Sequence, residues 1–230
     1  MSQMNEILYF DGCCLPVNPR GIVCAGYAIQ LDSGEIIKDA KVISESGTNN
    51  QGEYSGLILG LEKALSLGID RVEAYGDSML VVNQINREWA VRSPSMQKFC
   101  ERCRVLIRKL KSFSIEWISR EKNWIADEIV HETWLRYFEK KSLEAAKKID
   151  VGSIRWLGGS HFEVTGKKVY RVDAKKISCT CEDFRRKNRY FLLKRSGIIV
   201  RCKHLISVMG LPKDAEVLFD GEAETEGEFL

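Results

Sequence analysis

Four carboxylates fall where elements of the chain begin or end. Asp11 closes the run EILYFDG, Glu53 opens a helix after TNNQG, Asp77 closes RVEAYGD, and Asp127 lies in the first turn or so of a later helix. Hard oxygen donors of this kind suit Mg²⁺ or Mn²⁺, and a pair of such ions drives in-line displacement at phosphorus. A single acid at such a place is ordinarily a helix cap or a surface charge. The chemistry therefore requires that the first and fourth strands be neighbours, so that the acids converge at one end of a sheet. A second set of donors is soft: Cys179, Cys181, Cys202 and His204 read C-x-C, twenty residues, C-x-H. Three thiolates and one imidazole fill a tetrahedral Zn²⁺ shell and leave no open position, which describes a structural metal. Disulfides or buried free thiols are the competing readings of the same cysteines.

The elements that must position these groups are legible from periodicity. The segments 6–12, 21–32 and 34–44 are rich in Ile, Val and Tyr and are separated by turn residues, as in an antiparallel meander. Tyr54, Leu57, Ile58, Leu61 and Leu65 repeat at helical spacing, LGID ends that helix, and RVEAYGD at 71–77 reads as a strand. SMLVVNQINREW continues as helix. After RSPS, the residues Met96, Phe99, Cys100, Cys103, Leu106, Ile107 and Leu110 form one apolar helical face. Cys100 and Cys103 fall on that face, so their CxxC reads as core packing ahead of metal or redox work. A strand at 114–119 and a helix from about Asn123 to Lys140 complete the order βββαβααβα.

Charge divides the chain more sharply than its net value of +3 suggests. Residues 1–140 carry 17 Lys and Arg against 19 Asp and Glu, residues 141–212 carry 17 against 6, and residues 213–230 carry 1 against 7. The middle block, at +11, is a candidate for binding a polyanion, and the acidic tail reads as a solvated end. A composition of 44% apolar and 29% charged residues excludes a disordered or fibrous chain. No apolar run approaches ~20 residues, so no membrane partner is expected. The start MSQMNEILYFDG lacks a basic patch followed by an apolar stretch, so the expectation is an intracellular, cytoplasmic protein with free or metal-bound thiols.

YFDG, TNNQGEY, YGDS and EKNWIAD, in this order and at these intervals, resemble the type 1 ribonuclease H family over roughly residues 5–140. The family cuts the RNA strand of RNA–DNA hybrids. The resemblance implies that Asp11 bridges two Mg²⁺ (or Mn²⁺) ions, that Asp127 helps hold the ion activating the attacking water, and that Glu53 and Asp77 hold the ion facing the leaving 3′-oxygen. The products would carry a 5′-phosphate and a 3′-hydroxyl. Asn49 and Asn50 offer amides suited to a minor groove in which a 2′-hydroxyl separates RNA from DNA, and a turn before the helix is their plainer role. Gly12 and Gly52 would let backbone approach the duplex closely, a purely local role beside the helix start being their plainer reading, and Ser78 joins the expected nucleic-acid contacts. Two departures are visible. ISREKNW has no histidine where many members carry one, so Arg120 becomes the candidate for product release or a phosphate contact, as in archaeal-like members. The basic protrusion of some bacterial members is also missing.

The hybrid affinity must then come from elsewhere, and the carboxyl-terminal block is the place to look. Its C-x-C…C-x-H pattern, with CEDF after the first pair and HLISV after the second, resembles the SWIM zinc finger. The segment 182–201 between the pairs holds seven Lys and Arg with Phe184, Tyr190 and Phe191 among them. Basic residues meet phosphates and aromatics stack on bases, so Arg185, Arg186, Lys187 and Arg189 are the expected contacts; a zinc-module surface with core aromatics is the alternative.

The expected fold class is α/β: a ribonuclease H-like mixed five-stranded sheet with flanking helices at 1–140, a short helical linker at 141–151, a small zinc-binding β/α domain at 152–212 and the acidic tail at 213–230. The expected activity is Mg²⁺-dependent endonucleolytic hydrolysis of RNA in a hybrid, with one structural Zn²⁺ and a finger that aids nucleic-acid binding. The alternatives are a nuclease-fold adaptor with weak catalysis, or a nuclease acting on double-stranded RNA or DNA.

Overall fold

The computed structural model describes residues 5–189 and 199–210. Its contacts divide the chain into two compact units, Met1–Tyr137 and Phe138–Leu230. The expected sites at Tyr190, Phe191 and the acidic tail lie outside the described residues. Among the described residues, no helix is long and apolar enough to cross a membrane.

The first unit follows the order read from periodicity: β1 (Glu6–Leu15), β2 (Gly21–Gln30), β3 (Ile36–Gly47), α1 (Asn49–Ser66), β4 (Arg71–Gly76), α2 (Met79–Ile85), α3 (Pro94–Ile107), β5 (Ser112–Trp117) and α4 (Trp124–Ala146). Five strands form one sheet in the order β3-β2-β1-β4-β5. β1–β2 and β2–β3 pair antiparallel, whereas β1–β4 and β4–β5 pair parallel. The inner strands β1 and β2 are buried almost end to end, which is why they read as near-continuous apolar runs rather than as alternations. Leu57 and Leu61 of α1, Val81 of α2, and Cys100, Cys103 and Leu106 of α3 pack with Leu8, Phe10 and Val72 of the sheet into one core. The CxxC is therefore core, as its face implied. Within that core the Tyr54 hydroxyl donates to Gln84 Oε1 at 2.7 Å, so a buried polar pair is satisfied where α1 meets α2.

Three boundaries differ from the sequence reading. β1 does not stop near Asp11 but runs to Leu15, paired beyond Tyr9 only with β2, because Asp11 faces Gly26 and Leu15 faces Ile22 across an uninterrupted antiparallel ladder. α2 ends at Ile85 instead of near Trp89, and Arg87 then takes a left-handed φ of 66° that terminates the helix. α4 continues past Lys140 to Ala146, so the expected helical connector begins as part of α4.

The second unit contains a four-stranded antiparallel sheet, β6 (Ile154–Gly158), β7 (His161–Thr165), β8 (Val169–Asp173) and β9 (Ser178–Cys179), followed by α5 (Glu182–Lys187) and α6 (Lys203–Met209). The β6–β7 turn places Gly158 and Gly159 at φ of 103° and 56°, a backbone that a Cβ would disfavour. Ile154, Val164, Val172, Leu205 and Val208 form one buried apolar cluster, and Cys179, Cys181 and Cys202 pack among them.

Candidate active site and metal centre

The parallel register of β1 and β4 places the first two acids together. Tyr9 faces Tyr75, and Asp11 and Asp77 each lie two residues further on, at the point where β4 ends and β1 loses its parallel neighbour. Open α/β sheets collect ligands at such carboxyl ends. Glu53 is brought in by α1. Thr48 caps that helix in a capping box with Gln51, which fixes where its first turn starts. Gly12 and Gly52 then let helix and strand touch: a Cβ on Gly12 would stand 1.9 Å from the Gly52 carbonyl carbon. The missing side chain of Gly12 is thus required by the packing of α1 on β1, which is its local reading.

Amides hold the acids in place. Asn49 Nδ2 donates to Glu53 Oε1 at 3.1 Å while Asn49 Oδ1 accepts from the Cys14 backbone at 3.2 Å, so this side chain, expected to face a minor groove, ties Glu53 to β1. Asn50 is the next residue of α1 and is half-buried. Asp77 accepts from Asn123 Nδ2 at 3.2 Å, and its own carbonyl accepts from the Trp117 indole at 3.0 Å. Ser78 caps α2 by accepting from the Val81 amide at 3.4 Å. Asp127, in the first turn of α4, forms an ion pair with Arg120 and lies 3.3 Å from His131 Nδ1. Sequence reasoning assigned no part to Asn123 or His131. Both sit four residues from Asp127, one on each side, so helical spacing from that acid was the available signal.

Two overlapping groups of donors result. Oxygens of Asp11, Glu53 and Asp77 lie within 4.8 Å of one another, and so do donor atoms of Asp11, Asp127 and His131. Asp11 belongs to both. Burial, and after it the charges of Asp77 and Asp127, push the Asp11 carboxyl up to about 8. Burial and then the Asp11 and Asp77 charges hold Glu53 well above the carboxylate range. Burial acts the same way on Asp127, but the hydrogen bond and charge of His131, with Arg120, leave its carboxyl below the usual range. Three acids so close repel one another, and Asp11 Oδ2 and Glu53 Oε2 are buried with no hydrogen-bond partner among the described residues. An oxygen-lined cluster with unsatisfied buried oxygens fits a divalent cation.

The soft donors of the second unit also come together. Cys179 lies in β9, Cys181 caps α5, Cys202 caps α6 and His204 sits in its first turn; all four are buried, with donor atoms within 4.8 Å of one another. The three cysteines are free thiols. The Phe184 amide donates to Cys181 Sγ at 3.3 Å and the Cys181 amide to Cys179 Sγ at 3.5 Å. Hydrogen bonds from Cys179 and Cys202 hold the Cys181 thiol far below the ordinary range. Such a tetrad fits Zn²⁺. Of the expected basic contacts, Arg185, Arg186 and Arg189 are exposed. Arg185 also borders a depression lined by His161, Phe162, Arg171 and Thr180. Lys187 is not exposed: at 3% accessibility its Nζ donates to Asp183 at 2.8 Å and Ser142 at 3.1 Å, and it lies over the Phe138 ring. A cation with a carboxylate, a hydroxyl and an aromatic face of its own is a packing element, which corrects its assignment to nucleic acid.

Comparison with known proteins agrees with this geometry. The chain is 34% identical over 124 residues to ribonuclease HI of Halobacterium salinarum, covering 54% of this chain and 61% of that protein. It is 32% identical over 111 residues to a bifunctional protein of Mycobacterium tuberculosis, covering 47% of this chain and 30% of that one. It thus spans between about a third and three fifths of these relatives. The crystal structure of the Halobacterium salinarum RNase H1 superposes with a TM-score of 0.54 at 31% identity, over 57% of this chain and 98% of that one. LC11-RNase H1 in complex with an RNA/DNA hybrid gives a TM-score of 0.51 at 28% identity, over 56% and 95% of the two chains. The mixed five-stranded sheet with its helices is thus a ribonuclease H-like fold. Residues 9–133 match the model of the Reverse transcriptase-like family, and the chain belongs to that family.

Proposed function

We propose that the protein hydrolyses the RNA strand of RNA–DNA hybrids, leaving 5′-phosphate and 3′-hydroxyl ends. The observation that carries this reading is the trio Asp11, Glu53 and Asp77, with two buried, unsatisfied carboxylate oxygens, on a fold shared with ribonuclease H1 proteins. One of those relatives was solved with an RNA/DNA hybrid. Asp11, Glu53, Asp77 and Asp127 would hold the divalent ions, Mg²⁺ or Mn²⁺. When bound, such ions offset the charge that gathers on the phosphoryl oxygens and make a water acidic enough to attack.

The chain's own groups do the positioning. Asn49 fixes the Glu53 carboxylate and Asn123 fixes that of Asp77, so both acids are preorganised before substrate arrives. Arg120, paired with Asp127 and 46% exposed at its side chain, is the cation able to meet a substrate or product phosphate. In the second unit Cys179, Cys181, Cys202 and His204 would hold one structural Zn²⁺, and the exposed Arg185, Arg186 and Arg189 would supply phosphate contacts that raise hybrid affinity.

The test is to incubate labelled RNA–DNA hybrid, duplex RNA and duplex DNA with the full chain and Mg²⁺ or Mn²⁺, and to map the cuts. Cleavage confined to the RNA of the hybrid is expected, and Asp77→Asn should abolish it while leaving hybrid binding largely intact. Undiminished cleavage by pure Asp77→Asn protein would sink the carboxylate assignment, and cutting of duplex RNA or duplex DNA in preference would move the substrate assignment.

A further inference from the structure

We propose that the open face of the second unit's sheet holds one unpaired nucleotide of a single-stranded nucleic acid, its phosphate met by Arg171, Arg185 and Thr180. The inference rests on the reading above that this unit binds nucleic acid, and it names the form of nucleic acid bound. Side chains alternate across the strands, so Phe162 and Val172 turn to the core while the other face carries His161 opposite Asp173 and Glu163 opposite Arg171. On that face lies a depression of about 450 Å³, bordered by Leu157, His161, Arg171, Ser178, Thr180 and Arg185. Hollows of about 300–1,000 Å³ enclose a small organic molecule, and a nucleotide is of that class whereas a lone phosphate fills only a fraction of the space. A duplex keeps its bases stacked inside and cannot enter, but an unpaired nucleotide can be splayed into such a site. Leu157, 46% exposed, supplies an apolar patch for its base or ribose.

The polar groups around the depression keep donors for an anion. Arg171 meets Glu163 Oε1 through its Nε at 3.5 Å, and the other Glu163 oxygen pairs with Arg155, so among the described residues the two terminal nitrogens of Arg171 have no partner. Arg185 is exposed and forms no ion pair among the described residues. Thr180 Oγ1 accepts from the Arg171 amide at 3.0 Å, which leaves the hydroxyl proton to donate. The carboxylate in the wall, Asp173, is 8% exposed and already satisfied. Its Oδ1 accepts from Ser160 Oγ at 2.9 Å and from the Lys175 and Lys176 amides at 3.0 Å, and its Oδ2 lies 3.5 Å from His161 Nε2. Two guanidinium groups and a hydroxyl beside an apolar patch match a phosphate joined to a sugar and a base. The plainer role, a solvated sheet face on which Arg171 only pairs with Glu163, makes a different prediction: net charge alone would set the binding.

The experiment uses the full, zinc-loaded chain without magnesium or manganese, so that nothing is cut. Fluorescence anisotropy compares a short single-stranded DNA, a blunt RNA–DNA hybrid of equal length and a hybrid with a single-stranded extension. Arg171→Lys keeps the charge but loses the planar fork, and Thr180→Val keeps the shape but loses the hydroxyl. Each should lower single-strand affinity about fivefold or more and blunt-hybrid affinity far less. The extended hybrid should bind more tightly than the blunt one, and Arg171→Lys should remove that advantage. Lys167→Ala, which removes an exposed cation that does not line the depression, should weaken all three alike. Nuclear magnetic resonance of the ¹⁵N-labelled wild-type chain needs no variant: the single strand and adenosine monophosphate should both move the His161, Arg171 and Thr180 amides, and inorganic phosphate should move them far less. Single-strand affinity unchanged in folded Arg171→Lys and Thr180→Val, or amides that answer to phosphate as strongly as to the nucleotide, would overturn the inference while leaving hybrid cleavage standing. Failure of the wild-type chain to bind any of the three nucleic acids would instead overturn the reading beneath it.

Discussion

Asn123 and Asp77 are joined by a side-chain amide, Nδ2 to Oδ1 at 3.2 Å, and the same Nδ2 donates to the Phe10 carbonyl at 2.9 Å. Asn123 is fully buried, so a single group ties the residue before Asp11 in β1 to the acid at the end of β4. Removing it leaves a buried carbonyl without its donor. Asn123→Ala should therefore cost about 1–3 kcal/mol of stability and lower kcat for hybrid cleavage more than it raises KM, because Asp77 loses its orientation. Thermal unfolding and steady-state cleavage test both halves. Unchanged kcat in a folded variant would show that Asp77 needs no tether.

What was legible in the sequence was local. The order of strands and helices follows from periods of two and 3.6, and Asp11, Glu53, Asp77 and Asp127 stood out because they sit at element boundaries. The continuation of β1 past Asp11 was hidden, because it depends on pairing with β2 across a turn. Asn123 was hidden because its partner Phe10 is 113 residues away. The local need for Gly12 was hidden in its cause, because the clash that forbids its side chain comes from Gly52. Lys187 was misread for a similar reason: RRK reads as a solvated run until Ser142 and Asp183 are found around its ammonium. The zinc pattern was legible because ligand spacing is itself local at each end, C-x-C and C-x-H.

The acid cluster should make stability without divalent ions depend on pH. The Asp11 carboxyl is raised from 3.8 to about 8 when folded, so the folded state holds a proton that the unfolded state has already released. Its contribution is complete below the unfolded value and is lost as pH rises through the folded one. Melting temperature in magnesium-free buffer, with no chelator so that zinc is kept, should therefore fall between about pH 4 and about pH 8. Asp11→Asn should flatten that slope, and added Mg²⁺ should raise the melting temperature most at the alkaline end, where it replaces protons. An identical slope in Asp11→Asn would assign the dependence to other groups.

Gly12→Ala tests the packing assignment separately from the chemistry. Its Cβ would meet backbone atoms of Gly52 and Glu53 at 1.9–2.4 Å, and backbone cannot swing aside as a side chain does. Overpacking of this kind costs about 1–3 kcal/mol or more, and here it would push α1, with Glu53, off β1. A lowered melting temperature together with weakened Mg²⁺ binding is expected by calorimetry. A stable variant that loses only hybrid affinity would show that approach of the duplex, not packing, is what requires the glycine.

Lys187 and Arg185 are two residues apart and should behave oppositely. Lys187→Ala leaves Asp183 and Ser142 without their cation and opens a gap against Phe138, so it should lower the melting temperature of the second unit. Its effect on hybrid binding should not change the salt dependence. Arg185→Ala removes an exposed guanidinium and should leave stability within about 0.5 kcal/mol, while weakening hybrid binding and reducing the slope of log affinity against log salt by about one. Titrations at several salt concentrations, paired with thermal melts, separate the two. Reversed behaviour would return Lys187 to the nucleic-acid surface.

Zinc should be a folding requirement of the second unit. Cys179, Cys181 and Cys202 lie among Ile154, Val164, Val172, Leu205 and Val208, a small core for an independent unit, and Cys181 and Cys202 also begin the helices α5 and α6. Binding free energy at such a site is folding free energy. Cys202→Ser should reduce zinc from one equivalent to none by elemental analysis, and limited proteolysis should then cut readily within residues 150–210 while residues 5–137 stay resistant. Hybrid cleavage should persist, with weaker binding and a shallower salt dependence, because the acids belong to the first unit. A zinc-free variant that resists protease throughout would show that the cysteines and histidine pack without needing metal.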